Sequence, residues 1–119
     1  MKRLIYLFLI SMLIASCEKD REVVPVKYQI SNAFSPVNIK YRNTDGVVSS
    51  ETIDFESSED VWQYSFENKR GEIVYLSAKY SDSTSSVKLM IIIDGKVYKQ
   101  GSSINEPEKY VTVSGTIPY

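Results

Sequence analysis

From Val24 to Ile117 the chain alternates apolar and polar side chains at a period of two, over many short runs. This period gives each segment one apolar and one polar face, as in antiparallel sheets that are covered on one side. No window of this part shows the apolar period of an amphipathic helix. The pattern therefore predicts strands, with apolar faces at Val24, Val26, Tyr28 and Ile30; Val37, Ile39 and Tyr41; Trp62, Tyr64 and Phe66; Val74, Leu76, Ala78 and Tyr80; Leu89–Ile93; and Val111, Val113 and Ile117.

Turn-forming residues separate these runs. Asp94-Gly95 joins Leu89–Ile93 to Lys96–Lys99 and predicts a two-residue hairpin. Gly46 and Gly71 supply turns where a positive φ is favoured. About seven short strands with turns at this spacing predict an all-β fold, an antiparallel immunoglobulin-like sandwich over residues 24–119. The run from Val87 to Ile93 is apolar on both faces, which predicts a central strand or one under a covering loop. Pro25 predicts an edge position for the first strand.

The N-terminus carries a different pattern. Lys2 and Arg3 precede the apolar stretch Leu4–Ile14, and Leu13-Ile14-Ala15-Ser16-Cys17 follows. The apolar stretch is shorter than the roughly 17 to 25 residues of a membrane span. An ordinary signal peptide would leave Cys17 as an unpaired thiol in an oxidising compartment. The motif resembles a bacterial lipobox, which implies cleavage of residues 1–16 and a covalent lipid on Cys17.

The lipobox resemblance implies an envelope protein held in a membrane by its lipid, and we expect the outer membrane. Whether it faces the periplasm or the cell surface stays open. Residues 17–23 form a lipidated cysteine and a charged tether, which includes Glu18-Lys19-Asp20-Arg21-Glu22. This run is typical of a solvated linker. It also resembles, loosely, the charged stretch that marks surface export in lipoproteins of Bacteroidota-type bacteria.

A second resemblance rests on the order of landmarks in the predicted domain. These are Val26-Lys27-Tyr28-Gln29-Ile30, Val37-Asn38-Ile39-Lys40-Tyr41, Asp45-Gly46, Trp62, Leu76-Ser77-Ala78 and Ile93-Asp94-Gly95-Lys96-Val97. Together they resemble the MmpS family of small mycobacterial membrane proteins, whose soluble part is an immunoglobulin-like sandwich. The resemblance implies an accessory role beside a lipid or siderophore exporter of the RND type. The chain departs from that family in having no cysteine for its common disulfide, and a lipobox in place of its transmembrane anchor.

The composition excludes several chemistries. The chain has no histidine and one cysteine, which removes Ser-His-Asp and Cys-His catalysis and His-based zinc sites. No phosphate-binding glycine motif occurs. Without residues 1–16, the 12 basic and 15 acidic side chains give a net charge of −3, which does not favour nucleic acid. We therefore expect no enzyme, cofactor or metal.

Five acidic residues lie close together in the sequence between two predicted strands. We expect them to form a solvated loop, and the alternatives are calcium ligation and carboxylate-based hydrolysis. The residues are Glu51, Asp54, Glu56, Glu59 and Asp60.

Nine tyrosines are the remaining unusual feature. Strands favour aromatic residues, but tyrosine is also enriched at protein interfaces. We expect Tyr75, Tyr98 and Tyr110 to contribute to an interface, whereas Trp62 is expected in the core beside its aromatic neighbours. The sequence thus predicts a non-enzymatic binding or accessory module for an envelope protein complex, such as an RND-type exporter. The alternative is a surface protein for adhesion or for binding a glycan or nutrient.

Overall fold

The computed structural model describes residues 22–119, which form eight antiparallel strands. The strands are β1 (Val23–Ser31), β2 (Val37–Arg42), β3 (Val48–Ile53), β4 (Trp62–Lys69), β5 (Ile73–Tyr80), β6 (Ser86–Ile93), β7 (Lys96–Ile104) and β8 (Val111–Thr116). They build two four-stranded sheets. The first sheet has the order β4-β1-β6-β7, and the second has the order β3-β2-β5-β8. The predicted all-β antiparallel sandwich is confirmed.

The core lies between the two sheets and follows the predicted apolar faces. The inward side chains of β1, β2, β5 and β6 are almost completely buried, among them Tyr28, Ile39, Leu76 and Ile91. Polar residues alternate with them and face outward, because successive side chains of a strand point to opposite faces. The two-residue period of the sequence therefore corresponds directly to inward and outward positions.

The connection between β6 and β7 matches its turn chemistry. Asp94 and Gly95 both have positive φ, of 53° and 79°, and connect β6 to β7 as the predicted hairpin. A hairpin turn of this kind needs positive φ at both central positions.

The segment from Val87 to Ile93, which is apolar on both faces, belongs to β6. β6 lies between β1 and β7, so this segment is central, as predicted.

The structure corrects the strand count. The sequence predicted about seven strands, and the additional one is β3, which pairs with β2 along its length. The outward residues of β3 include Ser50 and Thr52, and Glu51 occupies an inward position. Of its inward positions only Ile53 is apolar and packs against the core, whereas Ser49 and Glu51 are polar. The period of two was therefore too weak to reveal it.

The edge position expected from Pro25 is wrong, because β1 is a central strand. Pairing of β1 with β6 begins only at Val26, opposite Ile93. The carbonyl of Pro25 accepts a 2.9 Å hydrogen bond from the backbone N–H of Asp94, in the hairpin that follows β6. Nitrogen and carbonyl of one strand residue point to the same side. The nitrogen of Pro25 therefore points toward β6 at a position beyond the last pair of the β1–β6 ladder. No N–H donor is needed there.

Candidate functional site

The proposed lipid attachment at Cys17 lies outside the described residues. The described chain starts at Glu22, whose carbonyl accepts a 2.8 Å hydrogen bond from the N–H of Arg70. This bond holds the start of the domain against the connection between β4 and β5. Between residues 22 and 119, no helix is long and apolar enough to cross a membrane.

The acidic cluster does not converge on one point. Glu51 lies within β3 and accepts a 3.0 Å hydrogen bond from the phenol of Tyr41. The other acids, Asp54, Glu56, Glu59 and Asp60, are exposed between β3 and β4. The carboxylate of Asp60 accepts the backbone N–H groups of Glu56 and Ser57 at 2.9 and 3.2 Å. Asp60 thus closes the local turn. The part of the chain described here, residues 22–119, holds no group of His, Cys, Asp and Glu side chains fit for a metal ion.

The phenols of two core tyrosines are bound rather than reactive. Burial raises the pKa of Tyr28 to about 12. Burial, together with the hydrogen bond to Glu51, raises the pKa of Tyr41 to about 12. Both side chains are therefore neutral near pH 7 and serve as hydrogen-bond donors, to the carbonyl of Arg42 and to Glu51 respectively. Neither has the pKa near the working pH that general acid–base catalysis favours.

Of the three predicted interface tyrosines, Tyr98 is half-buried and faces the gap between the sheets. Its phenol accepts the backbone N–H of Thr116 at 3.3 Å and lies directly over Gly115 in β8. A methyl group at residue 115 would collide with this ring. Tyr98 thus joins the β7 edge of one sheet to the β8 edge of the other. The Nζ atom of Lys99 lies 5.4 Å from the centroid of its ring, so Tyr98 has a cation–π contact in addition to these structural contacts.

Tyr75 and Tyr110 share another surface, the outward face of the second sheet. Tyr75 belongs to β5 and is half-buried, whereas Tyr110 immediately precedes β8 and is 43% exposed. Val111 pairs with Ala78, so Tyr110 comes to lie beside Lys79. Its ring is the most accessible aromatic surface on this face.

Two lysines contact the ring of Tyr110. The Nζ atoms of Lys40 in β2 and Lys79 in β5 each lie 5.0 Å from its centroid, which is cation–π distance. A shallow depression of about 320 Å³ lies beside them, lined mainly by residues of β2 and β3. We call Lys40, Lys79 and Tyr110, with the depression beside them, the lysine–tyrosine patch. Besides Lys40 and Tyr110, the depression is lined by Asn38, Ile39, Ser50, Glu51 and Thr52.

The surroundings of the patch are basic and rich in hydroxyl groups. None of the outward side chains of β2, β3, β5 and β8 is a carboxylate, and three are cationic: Lys40, Arg42 and Lys79. Arg42 is bound to the carboxylate of Glu72 at 3.4 Å and to the carbonyl of Ile73 at 2.8 Å. Within residues 22–119, neither Lys40 nor Lys79 lies within ion-pair distance of a carboxylate. The patch therefore presents two ammonium groups that an anion can reach.

The hydroxyl groups around the patch are held in place. Thr52 donates a 2.7 Å hydrogen bond to Asn38, across the pairing of β2 with β3. Ser77 faces outward but is only 1% exposed, and its hydroxyl lies 3.0 Å from that of Thr112. Ser77 pairs with Lys40, so the side chains around it cover it. A fixed polar floor with charged side chains above it can bind an anionic group without large rearrangement.

The sequence indicated Tyr110 but not its two lysine partners. Lys40 and Lys79 are 39 positions apart in the chain, and each reads as an ordinary outward residue of an alternating strand. Only the pairing of β2 with β5, and of β5 with β8, brings them to one ring. The contacts of Lys40 and Lys79 with Tyr110 could be predicted only once the strand order was known.

No protein-family model matches the chain, and no curated protein matches it in sequence. The resemblance to the MmpS family thus stays a prediction.

Proposed function

We propose that the protein is a lipid-anchored envelope protein whose sandwich is a non-enzymatic binding module, and that the lysine–tyrosine patch captures an anionic partner. One observation carries this proposal: two lysines without a carboxylate partner among the described residues share the exposed ring of Tyr110. Solvated lysines usually extend away from a protein. Here both ammonium groups lie 5.0 Å from the centroid of one ring, on a sheet whose strands carry no outward carboxylate.

Several features support a binding role over catalysis. The patch is open and shallow, whereas an active site for hydrolysis needs a cleft that positions two acids. Glu51 is bound to Tyr41, and Asp60 is bound to backbone N–H groups. The acids between β3 and β4 therefore have structural contacts or project into solvent. Aromatic side chains such as that of Tyr110 are enriched in protein interfaces.

Two classes of anionic partner fit a cationic patch on an anchored module. An acidic segment of a larger envelope complex would make the protein an accessory subunit, as the likeness to RND-exporter accessories implies. A carboxylate-bearing glycan would make it a surface capture protein. Both classes share the chemistry of carboxylates set among hydrogen-bonding groups. The anchor would lie in the outer membrane in either case.

Matched lysine variants test the proposal. Lys40→Gln/Lys79→Gln removes the two ammonium groups, and Lys27→Gln/Lys88→Gln removes two others from the outward face of the first sheet. Each would be expressed as the full chain in its native host, and the material crosslinked to it in the envelope would be quantified. We expect the patch variant to lose the partner and the control to retain it, with the melting temperatures unchanged. Equal recovery would contradict the proposal, as would turnover of an envelope substrate by the purified protein.

A further inference from the structure

The two ends of the sandwich carry different connections. One end, the tether end, is where the chain enters β1 at Val23. It also contains the β2–β3 turn at 43–47, the β4–β5 connection at 70–72, the β6–β7 hairpin and residues 117–119. The opposite end, the loop end, contains the connections 32–36, 54–61, 81–85 and 105–110. Any lipid attached upstream of Glu22 therefore reaches the domain at the tether end.

The ends also differ in charge. At the loop end, seven carboxylates accompany a single lysine: Asp54, Glu56, Glu59, Asp60, Asp82, Glu106 and Glu108, with Lys109. At the tether end the charged side chains balance, with Glu22, Asp45, Glu72 and Asp94 against Arg42, Lys69, Arg70 and Lys96. An anionic lipid surface repels the loop end and tolerates the tether end. Electrostatics alone therefore favours one orientation of the domain on a membrane.

The tether end is rimmed by exposed apolar side chains. Val23 is 40% exposed, and the others are at least half exposed. They come from five separate places in the chain, and they converge only because the sandwich brings these strand ends together. The rim consists of Val23, Val47, Val48, Ile73, Val97 and Tyr119.

We propose that this rim rests in the interfacial layer of the membrane that holds the lipid anchor. The inference depends on the lipid anchor at Cys17 in the proposed function. Fully extended, the chain from Cys17 to Glu22 spans only about 17 Å, so the tether end stays next to the bilayer. Aliphatic side chains and a terminal tyrosine lower their free energy by entering the interface. Lys69 is paired with Val23, and Lys96 precedes Val97, so both ammonium groups are placed to meet lipid phosphates.

This orientation has a consequence for the lysine–tyrosine patch. With the tether end on the bilayer, the strands stand upright and the outward face of the second sheet points sideways. Tyr110 and Lys79 lie toward the loop end of that face. The patch is then held above the lipid headgroups, accessible to a partner in the same membrane or beside it.

Single labelled thiols in the acylated full chain test the inference. Cys17 is the sole cysteine and is blocked by its lipid, so an introduced cysteine is the only free thiol. Val97→Cys places an environment-sensitive fluorophore at the tether end, and Ile104→Cys places it at the other end of the same strand, where Ile104 is 69% exposed. Val47→Cys gives a second tether-end position. Each protein is reconstituted in vesicles of phosphatidylethanolamine and phosphatidylglycerol, with and without nitroxide-bearing lipid.

We expect a blue shift and quenching by the nitroxide lipid at residues 97 and 47, and neither at residue 104. Equal emission at both ends would overturn the inference. A blue shift at residue 97 without quenching would also overturn it, since another protein or a second copy would then cover the rim. Intact mass measurement separates these results from failure of the anchor. A chain without acyl groups on Cys17 would overturn both the anchor and the membrane contact.

Discussion

The phenol of Tyr28, in the first sheet, donates a 2.7 Å hydrogen bond to the backbone carbonyl of Arg42, in the second sheet. The same oxygen accepts the backbone N–H of Tyr75 at 3.3 Å. Tyr28 is completely buried, so these bonds connect the two sheets inside the core. They satisfy the backbone carbonyl of Arg42, at the end of β2, and the backbone N–H of Tyr75.

Replacing this phenol tests its contribution to stability. We expect Tyr28→Phe to lower the free energy of unfolding by about 1–2 kcal/mol, because the carbonyl of Arg42 loses its buried donor. Urea unfolding monitored by circular dichroism measures the change. Tyr110→Phe, at an exposed position, is the matched control and should shift the stability by less than about 0.5 kcal/mol. Equal effects of the two changes would show that the bond between the sheets contributes nothing.

The raised pKa of Tyr28 predicts a loss of stability at alkaline pH. Its pKa is about 12 in the folded protein and 10.0 in the unfolded chain. Between these values the unfolded chain loses its proton first, so stability falls as pH rises from 10 to 12. Below pH 10 the contribution is fully present. Unfolding measured at several pH values should give a shallower decline for Tyr28→Phe than for the unmodified protein, and identical slopes would contradict the assignment.

Trp62 tests how far the core extends toward the edge of the first sheet. It begins β4, an edge strand, and is half-buried, with ring centroids 5.2 Å from Tyr41 and 6.5 Å from Tyr64. It packs against the core as expected but is not enclosed by it. Removing a fully buried tryptophan costs about 3–5 kcal/mol, so we expect about 2–3 kcal/mol for Trp62→Ala. Val61→Ala, next to it and exposed, is the control. A loss below about 1 kcal/mol would make Trp62 a surface residue available for binding.

The anchor has its own direct test. We expect Cys17→Ser to abolish acylation and to leave the precursor uncleaved, because the lipid-modified sulfur is required for processing by the lipoprotein pathway that the lipobox implies. Metabolic labelling with a fatty-acid probe measures acylation, and the apparent mass on a gel measures cleavage. Equal labelling of the variant and the unmodified chain would refute the lipobox interpretation.

The core could be predicted from the sequence because it depends on local alternation. Tyr28, Ile39 and Leu76 face inward wherever their strands lie in a sandwich, since the period of two fixes the face. β3 escaped prediction because Ile53 is the only apolar residue among its inward positions. Pro25 misled because its tolerance depends on where the neighbouring ladder ends, which is a property of strand pairing.

The candidate site could be predicted only in part, for the same physical reason. Tyr110 stood out as an aromatic residue beside a strand, but Lys40 and Lys79 join it through the pairing of β2, β5 and β8. Tyr98 resembles Tyr110 in sequence context, yet its ring lies over Gly115. Whether a strand tyrosine faces the other sheet or the solvent depends on how the two sheets pack. It also depends on a small residue, here Gly115, that leaves room for the ring.

The lysine–tyrosine patch is proposed as the binding surface of the anchored module. Photo-crosslinking in the native envelope tests this proposal, with a photoreactive residue at Ser50 in the depression of the patch and, as control, at Gln100 on the outward face of the first sheet. We expect a discrete crosslinked species from residue 50 that disappears in Lys40→Gln/Lys79→Gln, and none of it from residue 100. The same species from both positions, or its persistence without the two lysines, would contradict the claim.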